Sequence, residues 1–235
     1  MPFASKRSKE VKNFLSLNTK PNAILPVEDA IALIKKYNDE SKIKSKINVD
    51  WSIDVNVHIH LDPGKSVNSS LVLPNGNGKK YKVIAFVTEE EISKVKALGI
   101  EKVGYDDLIQ EVIAGFTSFD KCIASQAAFP NVSKKLAKIL GPKGLLPSVK
   151  AGTVSSDLES MVKNVLGGQV SVKASKNGTV ATSIARVSFN NDKIVENFKA
   201  YISYLKSLKP AGSKSFILKA TLSTTMGFGL RVSVA

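Results

Sequence analysis

Tyr81-Lys82-Val83-Ile84-Ala85-Phe86-Val87 decides the fold: five consecutive apolar residues, two of them Val and one Ile, read as a strand buried on both faces. Such a strand needs helices above and below it. The sequence that follows predicts them in alternation: a helix over Glu89 to Leu98, a short strand at Lys102-Val103, a helix over Asp106 to Ala114, a strand over Asp120 to Ser125, and helices over Ser133 to Leu140 and Ser156 to Leu166. This is the order of a parallel sheet covered by helices.

Upstream the style differs. From Trp51 the chain alternates strictly, with Ile53, Val55, Val57, Ile59 and Leu61 on one face and Ser52, Asp54, Asn56, His58 and His60 on the other. One face is core and the other is open to a polar partner. Asp62-Pro63-Gly64 ends this strand, a second short one follows at Ser70 to Leu73, and Pro74-Asn75-Gly76-Asn77-Gly78 leads into the insert. Beyond Gly167-Gly168 alternation returns, over Gln169 to Lys173 and Thr179 to Val187. An amphipathic helix over Asp192 to Leu208 and a strand over Ser215 to Ser223 follow. Two glycine-marked crossings therefore predict one domain inserted into another: residues 1–75 and 168–235 form a discontinuous α+β domain, and residues 76–167 an α/β insert. Gly76 and Gly168 are the expected hinges.

The chain has 235 residues, enough for two modest domains, and at 43% hydrophobic against 23% charged it has the composition of a folded globular protein. No apolar run approaches the roughly 18 residues of a membrane-spanning helix, and no membrane partner is expected. The lone Cys122 excludes an internal disulfide and a cysteine-based metal site. Thirty-four Lys and Arg against twenty Asp and Glu give a net charge of +14. A field of that sign points to a polyanion.

The positive charge belongs to folded elements. Six lysines and no acid lie between Lys121 and Ser156, and six Lys or Arg and no acid between Asn197 and Ala235, interleaved with Leu, Val, Ile and Phe. The Lys-rich stretch Asn38 to Asn48 adds more, and the first 20 residues read as a basic arm leading into a short helix.

Chemistry has little residue-level support. Gly76-Asn77-Gly78-Lys79 precedes a strand instead of opening a helix, so it is not a phosphate loop, and no cofactor is expected. His58 and His60 share a strand face, but no third ligand completes a metal set. Cys122 lies in an apolar strand without a neighbouring base. A small α/β hydrolase or transferase is the alternative these residues leave open. The better-marked feature is Ser223-Thr224-Thr225-Met226-Gly227-Phe228-Gly229. There small hydroxyl side chains can donate to phosphate or ribose 2′-OH, and Gly227 and Gly229 let a backbone approach closely.

Gly141-Pro142-Lys143-Gly144-Leu145-Leu146-Pro147, followed by Lys150-Ala151-Gly152-Thr153-Val154, closely resembles the signature of the ribosomal protein L-one family. Val187-Ser188-Phe189, Glu196-Asn197-Phe198, Lys209-Pro210-Ala211-Gly212 and Ser223-Thr224-Thr225-Met226-Gly227 match in order. Leu73-Pro74-Asn75-Gly76 and Asp106-Asp107-Leu108-Ile109 extend the likeness over nearly the whole chain.

The resemblance implies a non-enzymatic protein of the large ribosomal subunit with a split α+β domain and a Rossmann-like insert that holds no dinucleotide. It implies binding to the stalk of large-subunit rRNA, contact with exit-site tRNA and with other ribosomal components, and in some members repression of the protein's own mRNA. The implied location is the ribosome of a bacterial cytoplasm or of a mitochondrial or plastid matrix. RNA contact is expected at Ser52, Asp54, Lys173, Lys176, Ser223, Thr224, Thr225, Met226, Gly227 and Gly229.

Overall fold

The computed structural model describes residues 6–19, 23–40, 50–60, 67–96, 98–100, 102–149, 151–155, 157–209, 216–225 and 227–234. Most of the Lys-rich stretch, Lys150, Pro210 to Gly212 and Met226 therefore lie outside the described residues. In chain order the elements are α1 (Lys6–Asn18), β1 (Ile24–Leu25), α2 (Val27–Glu40), β2 (Ser52–Ile59), β3 (Asn68–Val72), β4 (Val83–Phe86) and α3 (Glu89–Lys96). There follow β5 (Lys102–Gly104), α4 (Asp106–Ile113), β6 (Lys121–Ser125), α5 (Phe129–Lys143), β7 (Val154–Ser155) and α6 (Leu158–Leu166). The chain closes with β8 (Gln169–Lys173), β9 (Thr179–Arg186), α7 (Asn191–Ser207), β10 (Ile217–Thr224) and β11 (Gly229–Val232). The class is mixed α/β, as expected.

The chain divides into two compact units, one of residues 1–67, 73–78 and 172–235, the other of residues 68–72 and 79–171. In the first, five strands run in the order β1-β11-β10-β2-β9. The alternation of β2 sends Ile53, Val55, Val57 and Ile59 into the core and leaves Ser52, Asp54, Asn56 and His58 half-buried on the opposite face. Helices α2 and α7 cover the apolar face. Glu28 and Asp29 in the first turn of α2 complement its dipole, and Asn190 caps α7 by accepting from the Asn191 amide at 3.1 Å.

In the second unit four parallel strands run β5-β4-β6-β7. Alternate residues of the central strand serve opposite layers. Ile84 and Phe86 pack with Leu108, Ile109 and Val112 of α4 and with Val132, Leu136 and Leu140 of α5. Val83, Ala85 and Val87 pack with Val95 of α3 and with Leu158, Met161, Val162 and Val165 of α6.

Helix α5 is longer than the expected Ser133 to Leu140. Pro130 sits in its first turn, where a missing amide costs nothing, and the last turn runs through Pro142 to the left-handed cap Gly144. The Leu145 amide then closes the end on the Leu140 carbonyl at 3.1 Å. Gly141 has no Cβ to clash with the following proline ring, so the helix continues where the signature suggested a stop.

Candidate nucleic-acid interface

The polar face of the five-stranded sheet is built by strand register. Strand β2 pairs antiparallel with β10, so that Asp54 stands opposite Ser223, Asn56 opposite Thr221 and His58 opposite Lys219. On its other side Ser52 stands opposite Arg186, Asp54 opposite Ser183 and His58 opposite Thr179. Strand β11 adds Arg231 opposite Thr221 and Gly229 opposite Ser223. Directly opposed residues share a face. The result is a sheet surface of hydroxyls, an amide and an imidazole, edged by Lys219, Arg186 and Arg231.

At one end of this face β2 and β10 are tied together. The Ser52 and Thr225 hydroxyl oxygens are 2.9 Å apart, the Ser52 amide donates to Thr225 Oγ1 at 3.3 Å, and the Thr225 amide donates to the Ser52 carbonyl at 3.3 Å. Ser52 Oγ also donates to Asp54 Oδ2 at 3.3 Å. An ionised Asp54 repels phosphate but accepts from a ribose 2′-OH or a base amine.

Thr224 is buried at 8% exposure, its side chain turned inward with Ala220 and Leu222, whereas Thr225 is exposed. The turn beyond it requires glycine, because a Cβ on Gly227 would lie 2.1 Å from Thr224 Oγ1. Phe228 anchors that turn: its ring centroid is 5.1 Å from Tyr37 of α2 and 5.7 Å from Phe14 of α1. The hydroxyl-glycine edge therefore stands on a buried aromatic support.

Lys173 and Lys176 are exposed, but elsewhere. Lys176 lies in the turn between β8 and β9, where the Gly178 carbonyl accepts from the Ile59 amide at 2.8 Å. That is the opposite end of β2 from Ser52, about 23 Å away at the rise of an extended strand. The expected residues thus form two groups. Ser52, Asp54, Ser223, Thr225, Gly227 and Gly229 come together, Lys173 and Lys176 belong to the far end, and Met226 lies outside the described residues. Gly76 and Gly168 adopt positive φ of 64° and 100°.

Nothing in the structure builds a catalytic centre from the residues tested for one. Cys122 is buried and desolvation pushes its thiol pKa up, away from the reactive thiolate. Among the described residues no three His, Cys, Asp or Glu side chains group as a metal site, and no helix is long and apolar enough to cross a membrane.

The model of the Ribosomal protein L1p/L10e family matches residues 30–228, a span that includes Ser52, Asp54, Thr225 and Gly227. The chain belongs to the ribosomal protein L1p/L10e family. It is 38% identical to the large ribosomal subunit protein uL1 of Alcanivorax borkumensis over 239 residues, covering 100% of this chain and 98% of the relative. The uL1 protein of Chromobacterium violaceum is 40% identical over 235 residues, 98% of each chain. That of Legionella pneumophila is 36% identical, again over 98% of each.

Membership in the L1p/L10e family gives the chain a structural role in the ribosome, and the hydrolase or transferase alternative is set aside. The sequence pattern places Asn56 on the polar face but does not show Lys219, Thr221, Thr179, Ser183, Arg186 and Arg231 as members of it. Their signal is alternation: Lys219, Thr221 and Ser223 on one side of β10, and Gly229 and Arg231 alternating with the buried Leu230 and Val232 of β11. What the pattern lacks is the pairing of β10 with β2, which joins residues 158 to 171 positions apart.

Proposed function

We propose that the chain is a component of the large ribosomal subunit and binds the rRNA of its mobile stalk through the polar face of the split domain. The observation that carries this is the Ser52–Thr225 junction, an exposed strip of hydroxyl, carboxylate and glycine backbone edged by arginine and lysine. Cations attract any phosphate backbone and fix register, whereas hydroxyls and a carboxylate report 2′-OH groups and a folded RNA shape. Affinity and fit thus come from different residues.

In the same reading residues 1–75 and 168–235 form the RNA-binding domain, and residues 76–167 the inserted one. Ser52, Asp54, Ser223, Thr225, Met226, Gly227 and Gly229 meet the stalk, Thr224 supports their turn from beneath instead of touching RNA, and Lys173 and Lys176 hold phosphates further along. Gly76 and Gly168 act as the hinge, their positive φ allowing backbone paths that other residues resist. The finer roles are assistance to deacylated tRNA leaving the exit site and repression of the protein's own mRNA. The expected location is the ribosome of a bacterial cytoplasm or of an organelle matrix.

Crosslinking in cells followed by sequencing of the bound RNA tests this. The reads should concentrate on one helical region of large-subunit rRNA, with exit-site tRNA as a second population. Reads scattered over mRNAs without an rRNA maximum would reject the proposal.

A further inference from the structure

A cleft of about 580 Å³ lies within the split unit, between α1 and the β10–β11 edge of the polar face. Its volume is within the roughly 300–1,000 Å³ typical of small-ligand sites and far exceeds what a lone phosphate fills. Three cations line it, Lys12 from α1, Lys219 from β10 and Arg231 from β11, and no acidic residue does. All three are exposed and none has an ion-pair partner among the described residues. Leu15 and Ala23 supply apolar wall.

Hydroxyls complete the lining. Ser16 Oγ donates to the Asn13 carbonyl at 2.9 Å, which leaves its oxygen lone pairs as acceptors, and Thr221 stands opposite Arg231 across the β10–β11 ladder. A ligand that matches this set carries negative charge at one end, a flat apolar ring at the other and hydroxyls between. A nucleotide has that construction. The cleft also adjoins the polar face directly, since Thr221 and Lys219 are the β10 residues opposite Asn56 and His58.

We propose that this cleft receives a single extruded nucleotide of the bound RNA, its base against Leu15 and Ala23 and its phosphate among Lys12, Lys219 and Arg231. The inference rests on the rRNA reading above and deepens it. Structured RNA is read chiefly through bases splayed out of the stack, and an unstacked base needs a pocket of this kind. The cleft then fixes which nucleotide of the stalk is recognised, while the Ser52–Thr225 strip fits its backbone.

The test uses the full chain and a fragment of the large-subunit rRNA stalk in which each nucleotide in turn is made abasic. With the wild-type protein one position should lower affinity about tenfold when its base is removed. In Ser16→Leu, which fills the cleft from an exposed helix position, that same position should become neutral, because the base no longer has a site. Lys219→Glu, an exposed change, serves as the second variant should Ser16→Leu melt early, and in it too the abasic-sensitive position should become neutral. A wild-type protein that binds the fragment, but with the same abasic profile in Ser16→Leu or in Lys219→Glu, overturns the cleft assignment and leaves the rRNA reading standing. Failure to bind the fragment at all overturns both. Adenosine 5′-monophosphate titrated alone separates the sources: saturable binding with no abasic-sensitive position in the RNA would assign the cleft to a free nucleotide and reject the proposal.

Discussion

The hydroxyl oxygens of Ser52 and Thr225, 173 positions apart in the chain, stand 2.9 Å from each other at the exposed end of the β2–β10 pairing. Ser52 Oγ donates its proton to Asp54 Oδ2, so Thr225 donates to Ser52 and the pair presents oxygen lone pairs to a partner's donors. Thr225→Val preserves the shape and removes the hydroxyl. Its affinity for stalk RNA should fall about tenfold, the worth of a hydrogen bond or two, with no change in the slope of log affinity against log salt. A filter-binding series at several salt concentrations reads both quantities. An equal loss on unrelated RNA would remove the fitting role assigned to Thr225.

Asn197 holds residues 75 and 76, shortly before the chain leaves the split unit after Gly78. Fully buried, its amide nitrogen donates to the carbonyls of Gly76 and Ile184 at 2.8 Å each, and its oxygen accepts from the Asn75 amide at 3.1 Å. Asn197→Ala strands three backbone groups and should lower unfolding free energy by about 3 kcal/mol in urea titrations. Glu196→Ala removes only the exposed bond from Asn75 Nδ2 at 2.7 Å and should cost less than about 1 kcal/mol.

Burial lowers the pKa of Lys121 to about 8; its ammonium donates to the Gln169 carbonyl and lies 4.3 Å from the centre of the Tyr81 ring. A folded-state pKa below the unfolded value means that the unfolded chain binds the extra proton between about pH 8 and the ordinary lysine range. The contribution of this group therefore opposes folding below pH 8, and that opposition fades as pH rises through the interval. Two-dimensional NMR of the lysine side chains should show Lys121 titrating near pH 8, ahead of the others. Midpoints for Lys121 in the ordinary lysine range would refute the assignment.

Much of this architecture is legible in the sequence, and the exceptions have physical causes. The alternation of Ile53, Val55, Val57 and Ile59 and the apolar block Val83 to Val87 each carry a period long enough to distinguish a one-faced strand from a two-faced one. Strands β1 and β7 have two residues each, too few for any period, and exist because β11 and β6 offer them an edge. Propensity ends the helix before the glycine-proline signature, because proline and glycine mark stops, while the actual end is set by the left-handed cap at Gly144. At the site, Ser223, Thr224 and Thr225 read as three equivalent hydroxyls. Strand alternation turns the middle one inward, where Thr224 Oγ1 occupies the space that a side chain at position 227 would need. The cationic rim is not visible in the sequence because Lys219 and Arg231 come onto one face only through sheet pairing.

The most direct test of the account is the affinity of the purified chain for a large-subunit stalk fragment and for a hairpin of the same composition in scrambled order, measured across a salt series. Both should weaken with salt at about 0.7 to 0.9 in log affinity per phosphate engaged, and the stalk fragment should bind at least about a hundredfold tighter throughout. Equal affinity for the two RNAs at every salt concentration would leave only a nonspecific cationic surface and contradict the claim that the Ser52–Thr225 strip recognises one folded RNA.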